Sequence, residues 1–445
     1  MGIWNTLFLH YGTGGYKMNT TEEFKDGDGK IILKRTFNLS VGIVSLSTYY
    51  VYDQYGNLAY VLPPLSSATL SDGNCYQYKY DDRNRVVEKR IPGKQWEYIV
   101  YDAQDRIVAN GPVYSPFGTG EEGWIYNLYD AFGRLSISGW YPAAGINSTI
   151  RATLQNSNSA VTNVTRYNLA GSTTIDGVSV DYSLPQNYSL PAGFKLLKIN
   201  YYDNYKYAGS PGNPPFLSIE GQSVAAVVTG LPTGSWTRIP TIASETKNEV
   251  SYTMYDSKGR VIRNRTTNYL GGYHTISNKL DFDGSLVYTV TSNRRTSLAN
   301  VYTTREDFTY TAQDRLLSHT FKIGTLTTQL MSYNTYNELG QPTRKNVGGT
   351  DITGAAALQK VDYKYNIRGW LTEINDTGDL ALPNDPQDLF AFKISYEEVT
   401  GQTMNGSVKP LYNGNISESI WRTPSDNIKR AYGYSDYSQN QLTGA

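Results

Sequence analysis

YDDRNRVV (residues 80–87) and YDAQDRIV (101–108) are two copies of one phrase, which returns as YDAFGRLS (129–136), YDSKGRVI (255–262) and YTAQDRLL (310–317). Self-similarity at short period decides an architecture before any other feature can. With the aromatic residue as position zero, the anchors are Tyr52, Tyr80, Tyr101, Tyr129, Tyr255, Leu280, Tyr310, Tyr336 and Tyr365. Position one is Asp53, Asp81, Asp102, Asp130, Asp256, Asp281, Thr311, Asn337 or Asn366, side chains that bond nearby backbone amides and open turns. Position four is Gly56, Asn84, Asp105, Gly133, Gly259, Gly284, Asp314, Gly340 or Gly369, all types that tolerate positive φ. Position six is Leu58, Val86, Ile107, Leu135, Val261, Leu286, Leu316, Pro342 or Leu371, and all but the proline restart an apolar strand. The phrase predicts a hairpin: a strand ends at Tyr-Asp, a type I turn closes on a left-handed residue, and the next strand begins. KDGDGKII (25–32) is a weaker copy.

Tyr80 and Tyr101 are 21 residues apart, and Leu280 and Tyr310 are 30 apart. That interval suits one hairpin and its connection and is short for a strand–helix–strand crossover each time. No long stretch of helical periodicity supplies such helices. The expected fold class is all-β: tandem hairpins forming a spiralling sheet.

The bulk properties agree. Of 445 residues, 39 are Tyr against 12 Phe, and tyrosine favours strands. With 40 basic and 40 acidic residues, bulk charge draws the chain neither to nucleic acid nor to an anionic membrane. Cys75 is the single cysteine, so no intrachain disulfide forms. No apolar run is long enough to cross a bilayer. The start, MGIWNTLFLHYGTGG, lacks a basic region followed by a sustained apolar one, so no signal peptide is visible. The sequence reads as a piece of a longer protein.

Tyr-Asp-x-x-Gly-Arg-Leu at this spacing resembles the YD repeat of the Rhs/YD-repeat proteins, over about residues 25–136 and 252–375. NTTEEFKDGDGKIILKR, YYVYDQYGNLAYVLPP and YKYNIRGWLTEIND are most similar to the branch found in Bacteroidota. The resemblance implies a sheet that spirals into a hollow β-shell, which in the family encapsulates a C-terminal toxin or effector, or serves as an adhesion scaffold. It implies a secreted or cell-surface location, with type IX export suggested by analogy. Its implied partners are cargo from the downstream polypeptide of the same chain, secretion machinery and a surface receptor. The DPxG signatures of the family's core autoprotease are absent from this sequence, so that activity is not carried over.

Four zones follow from repeat density. Residues 1–142 and 251–375 carry the phrase. Residues 143–250 lose it and are expected to be a loop-rich β-region or insertion, and 376–445 open with a loop before degenerate strands. The repeat carboxylates are read as turn openers rather than acid–base pairs. The position-five arginines (Arg85, Arg106, Arg134, Arg260, Arg315) are read as a row pairing with carboxylates on one face, each pair worth little. DGDGK (26–30) and DFDGS (281–285) have Phe37 and Ser292 where a calcium loop needs its glutamate, so no metal is assigned. His10, His274 and His319 are scattered, GTGGYK lacks phosphate-loop spacing, and Cys75 is read as a half-buried small residue. The tryptophans, Trp4 and Trp96 among them, are read as structural rather than sugar-stacking. The expectation is a non-enzymatic wall segment without cofactor; the alternative is a scaffold recognising a glycan or protein receptor, with the 143–250 loops as its contact.

Overall fold

The computed structural model describes residues 20–40, 42–64, 66, 73–158, 160, 163–166, 173–186, 188–210, 216–383, 385–400, 408–435 and 441–444. Trp4, His10 and GTGGYK lie outside them. The chain is all-β, built of antiparallel strands in hairpin order, and divides into two compact units. The first comprises residues 1–213 and 229–250, the second 214–228 and 251–445.

In the first unit, strands Thr21–Lys25, Ile31–Ser40, Gly42–Tyr52, Leu58–Leu62, Tyr76–Tyr80, Val86–Arg90, Glu97–Tyr101, Ile107–Tyr114, Glu122–Asp130 and Leu135–Pro142 each pair antiparallel with the next. Leu135–Pro142 then pairs with Lys195–Asp203. Along Glu122–Asp130, Trp124, Tyr126 and Leu128 alternate into the interior, the period-two signature of a strand with one covered face. Val100, Ala109, Ile137, Leu196 and Ile199 complete this core, each fully enclosed. Cys75 is also fully buried, not half-buried as its sequence context suggested, because it leads directly into the strand Tyr76–Tyr80.

The divergent zone contains a helix, Ser148–Ser157, that periodicity did not reveal. Asn147 caps it, its side-chain oxygen accepting from the amides of Thr149 (2.9 Å) and Ile150 (3.1 Å). No residue of the helix is buried. It docks through polar groups instead: Arg151 Nε donates to the Ile99 carbonyl at 3.0 Å. The Gln155 amide also donates to the Tyr101 carbonyl (2.6 Å) and accepts from its N–H (3.0 Å). A helix held this way needs no apolar stripe, so it leaves no hydrophobic period to read.

In the second unit, strands Val261–Thr267, Gly271–Leu280, Leu286–Thr296, Tyr302–Tyr310, Leu316–Ile323, Gln329–Tyr336, Pro342–Val347, Gln359–Tyr365, Leu371–Ile374, Ala391–Ser395 and Glu418–Arg422 run as one antiparallel meander. Leu286–Thr296 and Tyr302–Tyr310 bury no residue on either face. Cross-strand pairs, such as Ser292 with Thr303, hold that part of the sheet in place of a packed core.

Candidate functional site

The repeat phrase folds the same way at each copy. The position-one N–H donates to the position-five carbonyl and the position-four N–H to the position-one carbonyl, as at Asp81, Asn84 and Arg85 (3.1 and 2.9 Å), except that the Gly284 N–H donates to the Asp281 side chain (2.9 Å). Position four is left-handed throughout, from Gly56 (φ 82°), Asn84 (59°), Asp105 (62°) and Gly133 (77°) to Gly259 (75°), Gly284 (109°), Asp314 (56°), Gly340 (84°) and Gly369 (80°). The strand register slips by one residue at the anchor, between Lys79 and Tyr80 or Thr309 and Tyr310, so each turn is a type I turn with a bulge. The bulge was not part of the sequence reading.

What the sequence did not reveal is how one turn holds the next. The anchor hydroxyl donates to the position-six carbonyl of the preceding repeat. Tyr52 reaches Ile31, Tyr80 Leu58, Tyr101 Val86, Tyr129 Ile107, Tyr310 Leu286, Tyr336 Leu316 and Tyr365 Pro342, at 2.7–3.0 Å. Tyr202 to Leu135 and Tyr396 to Leu371 repeat the bond where the phrase has decayed. Leu280 has no hydroxyl, and there the Asn278 amide reaches the Val261 carbonyl at 3.4 Å. This bond is why the anchor is tyrosine and not phenylalanine.

The position-five side chain makes the second link. Lys30, Arg85, Arg106 and Arg134 lie over the next anchor ring (Tyr52, Tyr101, Tyr129 and Tyr202) with the cation 4.3–5.4 Å from the centroid. The same side chain meets position four of the next turn. A Cβ on Gly56 would fall 2.0 Å from Lys30 Nζ, and one on Gly340 2.2 Å from Arg315 Cζ. At Asn84 and Asp105, which are not glycine, position four bonds the incoming group: Asn57 donates to Asn84 (2.9 Å) and Arg85 to Asp105 (2.7 Å). At Gly56, Asn84, Asp105 and Gly340, position four therefore answers to two constraints, its own positive φ and the neighbour that lies across it.

The arginines also close on their own turns, Arg85 on Asp81, Arg106 on Asp102, Arg134 on Asp130 and Arg260 on Asp256, at 2.6–2.8 Å. Asp102 and Asp130 are buried, so these pairs differ from exposed ones such as Arg83–Asp105. Burial pushes the Asp81 and Asp256 carboxyls up, but Arg85, Arg260 and the turn amides outweigh it and hold both below the usual range. The Arg134 guanidinium, bidentate on Asp203, holds that carboxyl low as well.

Three further polar sites emerge. A groove of about 580 Å³ in the first unit is lined by Lys89, Gln95, Trp96, Glu97, Asn110 and Tyr114. In the same unit, Asp176 at the tip of a two-residue hairpin accepts from Lys195 (3.1 Å) and from the buried Arg238, which stacks on Phe117. In the second unit, Arg344 grips Asp362 (2.6 and 2.7 Å) and Lys360 grips Asp385 (2.6 Å), while the buried Asp388 has no cation within ion-pair distance among the described residues. Burial, then Asp362, Asp385 and Asp376, push the Asp388 carboxyl up to about 6. Among the described residues, His319 pairs with Glu306 and His274 with Asn293, and no cluster of His, Cys, Asp and Glu has the makings of a metal site. Among the same residues, no helix is long and apolar enough to cross a membrane, which says nothing of a β-barrel.

Neither a protein-family model nor a curated protein matches the chain.

Proposed function

We propose that the chain is a wall segment of the YD-repeat type, from a secreted or cell-surface protein, whose sheet encloses a downstream polypeptide. The observation that carries this reading is the link between turns. Seven anchors donate a tyrosine hydroxyl back, and Lys30, Arg85, Arg106 and Arg134 reach forward over the next ring, so repeats add in one register and a wall can grow without a core behind every strand. The strands Leu286–Thr296 and Tyr302–Tyr310, half-buried on both faces with no residue enclosed, support it, since a wall has a side towards its contents and a side towards solvent. Closing such a sheet on itself hides edges that would otherwise recruit other strands. A three-dimensional reconstruction of the full-length parent protein tests the proposal: internal density continuous with the downstream chain is expected, and an open, empty sheet would overturn it.

A second reading, a recognition scaffold, is favoured by the groove at Trp96. Its aromatic wall and its amide and charged side chains (Gln95, Asn110, Glu97, Lys89) are the chemistry that stacks on and hydrogen-bonds a sugar ring. It lies within residues 89–114, not in the 143–250 loops where the sequence placed such a contact. Glycan-array binding lost in Trp96→Ala would select this reading; an array without signal would remove it.

A further inference from the structure

We propose that one edge of the second unit's sheet docks on a lipid surface carrying anionic headgroups. In the meander, the repeat turns lie along one edge and the connections 268–270, 297–301 and 324–328 along the other. Consecutive connections on one edge are separated by two strand spacings, about 10 Å, so the three span about 20 Å. Each ends in exposed apolar side chains: Tyr269 and Leu270 (49% and 42% exposed), Leu298 and Tyr302 (95% and 68%), and Leu326 (64%). A leucine held at the tip of a tight turn serves no fold, and one on each of three successive turns makes a row.

Over these three connections the charge has one sign, whereas the acidic residues of this edge begin at Asp351 in the next connection. Arg265, Arg294, Arg295 and Lys322 all lie within three residues of these turns, and between Ser285 and Arg305 the sequence has no acidic residue. Among the described residues, none of these four cations has a carboxylate within ion-pair distance, in contrast with the paired arginines of the repeat turns. The nearest acids on the neighbouring strand are engaged, Glu306 by His319 and Asp307 by Arg305. Arg265 and Arg294 flank the Tyr273 ring at 4.0 and 5.3 Å, which holds them on one face, while Arg295, next along its strand, projects from the other. Bulk neutrality therefore conceals a local cationic edge. Apolar tips ringed by unpaired cations fit a bilayer interface, where tyrosine and leucine enter the headgroup boundary and cations meet lipid phosphates. A nucleic acid would use the cations and leave the leucines in water.

Flotation of the 445-residue chain with vesicles of phosphatidylcholine alone, or with one third phosphatidylglycerol, tests this. Partitioning at least tenfold stronger onto the anionic vesicles is expected, weakening in 0.5 M salt. Arg295→Gln with Lys322→Gln should weaken it about 25-fold, at roughly fivefold for each cation. Leu298→Ser with Leu326→Ser should weaken it at least tenfold while leaving the circular dichroism unchanged. Leu298→Cys carrying an environment-sensitive dye should shift to the blue on anionic vesicles, with labelling confined to that site because Cys75 is buried. Equal partitioning onto neutral vesicles, or none, would overturn the proposal. So would binding to DNA or heparin that survives loss of the leucines, or leucine-dependent self-association in sedimentation, which would make a second copy the occupant.

Discussion

A tyrosine hydroxyl, a glycine hydrogen and a guanidinium account for most of what links one repeat to the next. The hydroxyl can be removed or added. Tyr101→Phe leaves the Val86 carbonyl without its donor and should cost about 1 kcal/mol, read as a lower urea midpoint. Leu280→Tyr supplies the missing rung and should gain about 0.5–1 kcal/mol, because the Val261 carbonyl now has only a long bond from Asn278. If Leu280→Tyr loses stability, the rung is not transferable and the bond is a by-product of packing. The glycines separate the two constraints on position four. Gly133 has open space where its Cβ would go, so Gly133→Ala should show only the left-handed penalty of about 1–2 kcal/mol. Gly340→Ala adds a collision with Arg315 and should cost more. Combining it with Arg315→Ala should bring the cost back to that of Gly133→Ala plus the arginine's own effect. Strict additivity of the two changes would mean that the guanidinium moves aside freely.

The hairpin was legible in the sequence because its chemistry is local. Asp53, Asp81 and Asp102 bond amides two and four residues on, as Asp81 does to Arg83 and Arg85, and a left-handed Asn84 or Gly56 sits three residues later. The links between hairpins were not legible. Arg85 to Asp105 and Tyr80 to Leu58 span about twenty residues and exist only once the register is set. The same holds for the Trp96 groove, whose walls come from separate strands, and for Asp388, whose neighbours arrive from three segments. The charges on these elements respond to pH with opposite signs. Asp81, Asp203 and Asp256 are held below their unfolded value, so their stabilisation is present above about pH 4 and is lost as pH falls through the lowered pKa. Asp388 is held above its unfolded value, so its contribution is full below about pH 4 and is lost as pH rises through about 6. Urea midpoints should therefore rise for the region around 360–395 between pH 7 and 5 in the native chain. Asp388→Asn should remove that slope and add roughly 1–2 kcal/mol at pH 7.5. A slope that survives in Asp388→Asn would assign it to another group.

At the scale of the molecule, the two units solve the same problem differently, and the difference is measurable. The first covers one face of its hairpins with a core in which Val100, Ala109, Ile137, Leu196 and Ile199 are enclosed. Opening a strand there exposes apolar surface at about 25 cal/mol per Å², so local opening should approach the cost of unfolding the unit. Leu286–Tyr310 in the second unit has no such cover, and only ladder hydrogen bonds and cross-strand pairs oppose its opening. Native-state hydrogen exchange should therefore grade along the chain. Protection should be highest at 97–101, 124–128 and 196–201 and lower by at least tenfold at 286–310, although both regions are continuous antiparallel sheet. Equal protection at 286–310 would mean that something shields a face there. Repeating the measurement on the full-length parent then becomes decisive for the container reading. A polypeptide held against one face should slow exchange at 286–310 while leaving 97–101 unchanged, whereas an empty wall should leave both as they are in the isolated chain.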